Sequence, residues 1–401
     1  MIIALRSDKS QINLFEFTVT DEIVKMKKNG PFYCPVCQNA VRLKTGNKRR
    51  AHFAHIQLND CVNERKESKQ HLDGKFDLYH FFNRYSVEVL IEQFIPEINQ
   101  RPDLMIQAEN EKISIEYQCS KIPLEDIQQR TESYKLIGMK VFWILGKNLL
   151  SQKGRFSFTL NPLSIYSLIN PNYPTLYFYD SSSKTFRILS SIIAFSSNIF
   201  AGKIMDIKIE HYNLQKFSNH STIRKKDFIT TWTKLKMTYR KSQHLNYKGN
   251  FYRLKEILYN LQIDYLPSII GVPLNSNYVL SEHCIVWQGM LYLLFIHPAQ
   301  LEETIDLNEL KFYLNNQIIS GVWKVNELQF KEIINMENCV ENYIDFLEHF
   351  RIVKRTKNGK IMKIANAIIP TSFQQALDED CLTASKAFDL LFNNTTGSNG
   401  Q

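Results

Sequence analysis

A chain of 401 residues is long for one ordinary hydrophobic core, so two or three domains are expected. Its 44% hydrophobic and 12% aromatic content excludes a low-complexity or disordered protein; no run approaches the ~18 apolar residues of a membrane span, and the N-terminus lacks a secretory apolar segment, so a cytoplasmic location is expected. The excess of 49 Lys and Arg over 40 Asp and Glu, net +9, points to a polyanionic partner, nucleic acid first, and seven Cys with one Cys-x-x-Cys pair fit metal ligation better than a disulfide framework.

Residues 2 to 19 hold two apolar runs around the polar turn SDKSQ, which predicts a hairpin. A knuckle follows, Cys34-Pro35-Val36-Cys37, then a short strand, a basic turn and His52-Phe53-Ala54-His55. Two Cys at this spacing present both sulfurs to one ion and the returning His pair completes four ligands, so a structural zinc on Cys34, Cys37, His52 and His55 is expected, with Cys61 near enough to replace one His. Arg49 and Arg50 on the same hairpin, with Lys44 and Lys48, suit contact with phosphates.

From Glu64 to Tyr85 helical spacing predicts an amphipathic helix with a polar face of Glu67, His71 and Lys75 and a weak spot at Gly74. A strand, SVEVLIEQFI, leads to the stretch RPDLMIQAENEKISIEYQCS, which reads as a hairpin of LMIQA and KISIEYQ about Glu109-Asn110-Glu111. Period two puts Glu116 and Gln118 on one face, with Asp103 at the mouth of the preceding strand, so Asp103 and Glu116 are candidates to hold magnesium or manganese through oxygen. A helix from near Pro123 to a Gly138 cap, carrying Arg130 and Tyr134 one turn apart, and a buried strand KVFWILG complete an αβββαβ order.

Pro102-Asp103, the hairpin and Glu116-Tyr117-Gln118 resemble the PD-(D/E)XK nuclease signature, with Gln118 standing where that superfamily usually has Lys. Together with the CPxC…HFAH unit, His71, Lys75, Arg130, Tyr134 and the WILG strand, residues 1 to about 150 resemble the competence protein CoiA family. The resemblance implies a metal-dependent nuclease acting on internalised or branched DNA during recombination in natural transformation. Asp103, Glu116, Gln118 and His71 would then be catalytic, with Lys75, Arg130, Tyr134, Arg49 and Arg50 binding substrate. Recombination proteins are possible partners. A catalytically weak or inactive nuclease-fold scaffold and a defence or restriction endonuclease are the alternatives.

Beyond residue 150 a few strands are expected around the Asn-Pro-rich stretch 161 to 174. Residues 203 to 256 then interleave Lys and Arg with aromatics (Trp232, Lys236, Tyr239, Arg240, Tyr247, Tyr252). This suits single-stranded nucleic acid, or equally a helical hairpin with an aromatic core. Residues 257 to 300 read as apolar core, and IVKRTKNGKIMKI as two strands about an Asn-Gly turn in a winged-helix-like module. The expected class is α/β: a β-rich zinc unit at 1–62, a nuclease-like core at 63–150, a mainly helical DNA- or partner-binding region at 151–391, and a disordered tail at 392–401.

Overall fold

Alternating apolar positions in the first 55 residues close a small antiparallel sheet. Its strands are β1 (Ile3–Leu5), β2 (Gln11–Asn13), β3 (Phe32–Tyr33), β4 (Ala40–Lys44) and β5 (His52–His55), in the order β2-β1-β3-β4-β5, with helix α1 (Thr20–Met26) inserted after β2. In β4, Val41 and Leu43 are buried while Arg42 and Lys44 are exposed, the period-two pattern of a sheet with one wet face. The predicted N-terminal hairpin is β1 and β2. The computed structural model describes residues 1–17, 20–46, 49–57, 61, 67–85, 87–108, 111–213, 222–242 and 249–392. The expected tail beyond Phe392, Lys48, Tyr247, the Glu109-Asn110 turn and the N-terminal end of the helix predicted from Glu64 lie outside them.

That helix, α2 (Lys69–Phe82), starts where the Ser68 hydroxyl accepts the His71 N–H at 3.1 Å, a side-chain cap. It is followed by β6 (Glu88–Ile91), β7 (Leu104–Gln107), β8 (Lys112–Gln118), α3 (Leu124–Leu136) and β9 (Lys140–Gly146). β6, β7 and β8 pair antiparallel, β8 pairs β9 in parallel with Glu116 opposite Trp143, and the strand Leu176–Asp180 adds in parallel to β9. Gly138, at φ 70°, takes the left-handed turn after α3.

Adjacent residues of β8 place the two helices on opposite faces. The Tyr117 ring lies against Gly74 of α2, while the Glu116 carboxylate meets Tyr134 of α3. α2 buries Leu72, Leu78, Phe81 and Phe82. α3 buries Ile127, Thr131 and Tyr134, and the Thr131 hydroxyl accepts from Trp143 Nε1 at 3.0 Å.

The chain divides into two units. The first comprises residues 1–150, 176–188 and 205–220, and the second residues 151–175, 189–204 and 221–401, so the strands Thr185–Ala194 and Ile199–Lys208 contribute residues to both. The second unit is mainly helical after residue 221, with helices Lys225–Ser242, Asn250–Asn260, Cys284–Leu291, Leu307–Ile319, Met336–His349 and Phe373–Phe392. It also has strands Ser151–Gly154 and Ser157–Thr159. The Asn-Gly hairpin forms as Val353–Arg355 and Lys360–Lys363, and a third strand, Thr304–Asp306, pairs with it. Among the described residues no helix is long and apolar enough to cross a membrane.

Three members of the basic-aromatic segment follow the core alternative of the two readings. Trp232 is buried with its indole N–H on the Gly271 carbonyl at 3.0 Å. Lys236 and Arg240 are buried on one helix face, where Lys236 Nζ and Arg240 Nε each lie 2.7 Å from the Asp380 carboxylate. These residues therefore serve the core, because their i, i+4 spacing turns both cations toward Phe373–Phe392. Burial opposes the charge on Asp380, but Lys236 and Arg240 outweigh it and hold the carboxyl below its ordinary range.

Asp380→Asn leaves two buried cations without their anion and is expected to cost about 3–5 kcal/mol in urea unfolding at pH 7. Because the folded carboxyl is depressed, its contribution is present above the ordinary carboxylate range and is lost as pH falls through the lower folded value, so the difference from wild type narrows below about pH 4.

Candidate functional site

Among the described residues, two clusters of ligating side chains lie in the first unit. In the first, the Cys34–Cys37 knuckle is closed by turn hydrogen bonds, Cys34 N–H to Asn39 O at 2.9 Å and Gln38 N–H to Cys34 O at 3.0 Å, and the Val36 N–H points at Cys34 Sγ, 3.4 Å away. His55 Nε2 lies 3.3 Å from Cys37 Sγ, and Cys61 Sγ 3.8 Å from Cys34 Sγ. All four ligand atoms fall within 4.8 Å of one another. A tetrahedral zinc with bonds of about 2.3 Å to sulfur spaces two sulfurs by roughly 3.8 Å, so this Cys3His set fits such a metal.

His52 is not among the four. Its Nδ1 lies 2.9 Å from the Arg50 carbonyl instead. His52 and His55 are three apart on β5, so the strand turns their side chains to opposite faces, and Cys61 takes the vacant corner.

The second cluster gathers Glu67, His71 and Asp103, whose ligand atoms also lie within 4.8 Å of one another. The His71 ring sits between two carboxylates, Nδ1 3.1 Å from Glu67 Oε1 and Nε2 3.0 Å from Asp103 Oδ2. The same Asp103 oxygen accepts the Tyr117 N–H at 2.9 Å, and the Tyr117 ring stacks on the imidazole at 5.8 Å and 12°. A Cβ built on Gly74 would lie 2.1 Å from that ring, so the absence of a side chain there lets Tyr117 and His71 share this face of α2.

Beneath the cluster lies a buried ion network. The fully buried Lys75 ammonium contacts Glu67 and Glu92 and stands 3.7 Å from Asp103, and Arg101 pairs with Glu92 at 2.7 Å. The Met1 amino group lies 3.1 Å from Glu67. Burial opposes the charges on Asp103, Glu92 and His71, yet their partners prevail. Asp103 is held well below the carboxylate range by His71 and Lys75, Glu92 is lowered to about 2 by Arg101 and Lys75, and His71 is raised to about 9 by Asp103 and Glu67. Glu92 adopts φ 51°, a left-handed conformation that a non-glycine residue holds only when its surroundings fix it.

Glu116 stands beside this group rather than in it. Its Oε1 accepts from Arg130 at 2.5 Å and from the Tyr134 hydroxyl at 2.6 Å, and burial raises its pKa. Tyr134 is buried in this contact, and Lys75 is enclosed by its carboxylates, so neither faces substrate as predicted. Gln118 Nε2 donates to the Ser120 carbonyl at 2.6 Å. His71, Asp103, Gln118, Ser120 and Arg130 line one cavity of about 520 Å³. Arg49 and Arg50 line a separate cavity of about 210 Å³, where Arg50 stacks over Phe76 at 3.7 Å and pairs with Asp73 at 2.8 Å. Sequence reading missed Glu92 and Arg101, because their roles come from contacts distant in the chain.

A helix, three antiparallel strands, a second helix and a parallel strand, with an ionisable groove at the mouth of the hairpin, make this a nuclease-like α/β domain joined to a Cys/His unit. Family models agree: the competence protein CoiA nuclease-like domain matches residues 67–222, the CoiA N-terminal domain residues 16–64 and the CoiA C-terminal domain residues 228–377. Competence protein CoiA of Bacillus subtilis (strain 168) is 28% identical over 343 residues, 83% of this chain and 90% of that protein. The chain belongs to the competence protein CoiA family.

Three substitutions test the geometry. Cys61→Ala is expected to abolish stoichiometric zinc in the purified protein while His52→Ala retains it, as measured by elemental analysis. Gly74→Ala, which helix propensity alone would favour, is expected to lose about 1–3 kcal/mol in urea unfolding because the new methyl meets the Tyr117 ring.

Proposed function

We propose that this protein is a divalent-cation-dependent phosphodiesterase that processes internalised DNA during competence-associated recombination. The observation that carries the reading is the 3.0 Å approach of His71 Nε2 to Asp103 in a groove shared with Gln118 and Arg130. The superfamily assignment, PD-(D/E)XK, rests on the order of α2, β6 to β9 and α3 and on Asp103, Glu116 and Gln118 in their motif positions. Zinc in the Cys34, Cys37, His55 and Cys61 cluster would be structural, since all four positions are filled by protein.

Each residue then has a chemical task. Asp103, oriented by the Tyr117 N–H, is an oxygen ligand to the cation. A bound divalent cation supplies a more acidic water and stabilises charge on the transferring phosphate. Arg130, anchored by Glu116, donates to a phosphate oxygen at the rim. Gln118, with its amide N–H groups turned to Ser120, orients the attacking water through its carbonyl oxygen but cannot take its proton. Water adds to phosphorus as the bond to the leaving oxygen breaks, and that oxygen ends protonated. DNA with unpaired strands or branches is the proposed substrate, and recombination proteins are the proposed partners.

A second reading, a nuclease-fold scaffold that binds DNA without cutting it, is favoured by one observation: the motif carboxylate Glu116 is already satisfied by Arg130 and Tyr134. Cleavage of single-stranded, duplex and branched DNA with Mn²⁺ or Mg²⁺ separates the two. Under the nuclease reading Asp103→Ala lowers cutting more than about 100-fold, Glu116→Ala lowers it less, and both retain DNA binding. Tight DNA binding with no cutting by wild type establishes the scaffold.

A further inference from the structure

Resting on the reading of DNA as the substrate, we propose that the cavity between Arg49 and Arg50, just before β5, and α2 is a pocket for one unpaired nucleobase of a DNA strand. Arg50 gives the base a plane to stack on, and Arg49 takes a phosphate flanking that base. The pocket lies apart from the groove of His71 and Asp103 and holds the strand rather than cutting it.

Three observations support this assignment. The first is charge. The cavity of about 210 Å³ is lined by Arg49 and Arg50 and, among the described residues, by no carboxylate. Arg49 is exposed and makes no hydrogen bond or ion pair within the described residues, so its fork is open to a phosphate.

The second is the plane. Arg50 lies 3.7 Å over the Phe76 ring and gives its Nε–H to Asp73 at 2.8 Å, so the guanidinium is fixed by a stack on one side and an ion pair at its edge. Phe76 is in turn wedged between Phe15, edge-on at 5.1 Å, and His80 at 4.2 Å. One face of the guanidinium is covered by Phe76, and the other is where an unpaired base stacks.

The third is size. A cavity of about 210 Å³ is smaller than the roughly 300–1,000 Å³ that holds a drug-sized ligand, so it admits a single ring system. Phe15, Phe17 and Ile23 are among its remaining walls, which suits the apolar faces of a base and disfavours the carboxylates of an acidic peptide. Phe76 follows His71 by five residues, about 140° around the helix and about 7.5 Å along its axis, so the pocket and the groove open on different sides of α2. A base paired in a duplex is stacked on both faces and does not enter, so the pocket selects strands with unpaired positions.

The test uses the full zinc-loaded chain with no further cation added, so that strands bind and are not cut. A short oligothymidylate carrying 5-iodouracil is irradiated on the protein, and the crosslinked residue is read by mass spectrometry. A crosslink to Phe17 or Phe76 from the single strand, and none from the same sequence in a perfect duplex, is expected. Arg50→Ala should weaken single-strand binding about 5–150-fold, the loss of one stacked base. Arg50→Lys, which keeps the charge but not the plane, should weaken it comparably without changing the salt dependence. Arg49→Ala should lower the slope of log affinity against log salt by about 0.7, the share of one phosphate. Zinc content and unfolding midpoint check folding, and the wild-type crosslink needs no variant. Crosslinks only outside the cavity, equal crosslinking from the duplex, Arg50→Lys binding like wild type, or displacement of the strand by polyglutamate of equal charge overturns the inference. The cavity crosslink with no cleavage of any DNA once Mn²⁺ or Mg²⁺ is added upholds the pocket and defeats the phosphodiesterase reading. Cleavage with no crosslink in the cavity does the reverse.

Discussion

The first unit is built around the burial of charge. Glu67, Glu92 and Asp103 all lose water, and a lone carboxylate in such a place would be neutralised or would unfold its surroundings. The fold instead threads cations between them: Lys75 from the middle of α2, Arg101 from the turn before β7, and His71 one helical turn before Lys75. Each member is tolerable only because the others are present, so the network ties α2, the end of β6 and the start of β7 into one geometry. The left-handed backbone at Glu92 is where that requirement shows in the chain, a local strain held in place by contacts on both carboxylate oxygens.

Much of this was legible in the sequence, and what was legible shares a property. The helix, the three strands, the second helix and the parallel strand announce themselves through local periodicity, and the Asp103 and Glu116 motifs through spacing within one hairpin. The Cys-x-x-Cys knuckle is equally local. A strand assignment for His52 to His55 would also have excluded one histidine, since two residues three apart on a strand face opposite ways.

The rest depended on partners far apart in the chain. Lys75 reads as an exposed helix charge, yet its partner Glu92 is 17 residues away, and only the packing of α2 on the sheet buries it. Lys236 and Arg240 read as a basic surface, while the anion that turns them inward is 140 residues from Arg240. Charge composition suggests a polyanionic ligand but does not separate a cation that meets phosphate from one that neutralises a buried aspartate. By propensity Gly74 is a helix weakness, and it is the place where the helix admits an aromatic ring.

The interleaved boundaries of the two units bear on how the chain is made. The first unit draws on residues 1–150, 176–188 and 205–220, and the segment 151–175 of the second lies between them. On a ribosome, the strand Leu176–Asp180 that extends the sheet at β9 emerges only after a piece of the other unit has already been synthesised. The nuclease-like unit therefore cannot finish folding vectorially, from its first residue to its last, before its neighbour begins. Truncation after residue 150, which an order of elements along the chain invites, would cut the sheet at β9 and leave its apolar edge unpaired.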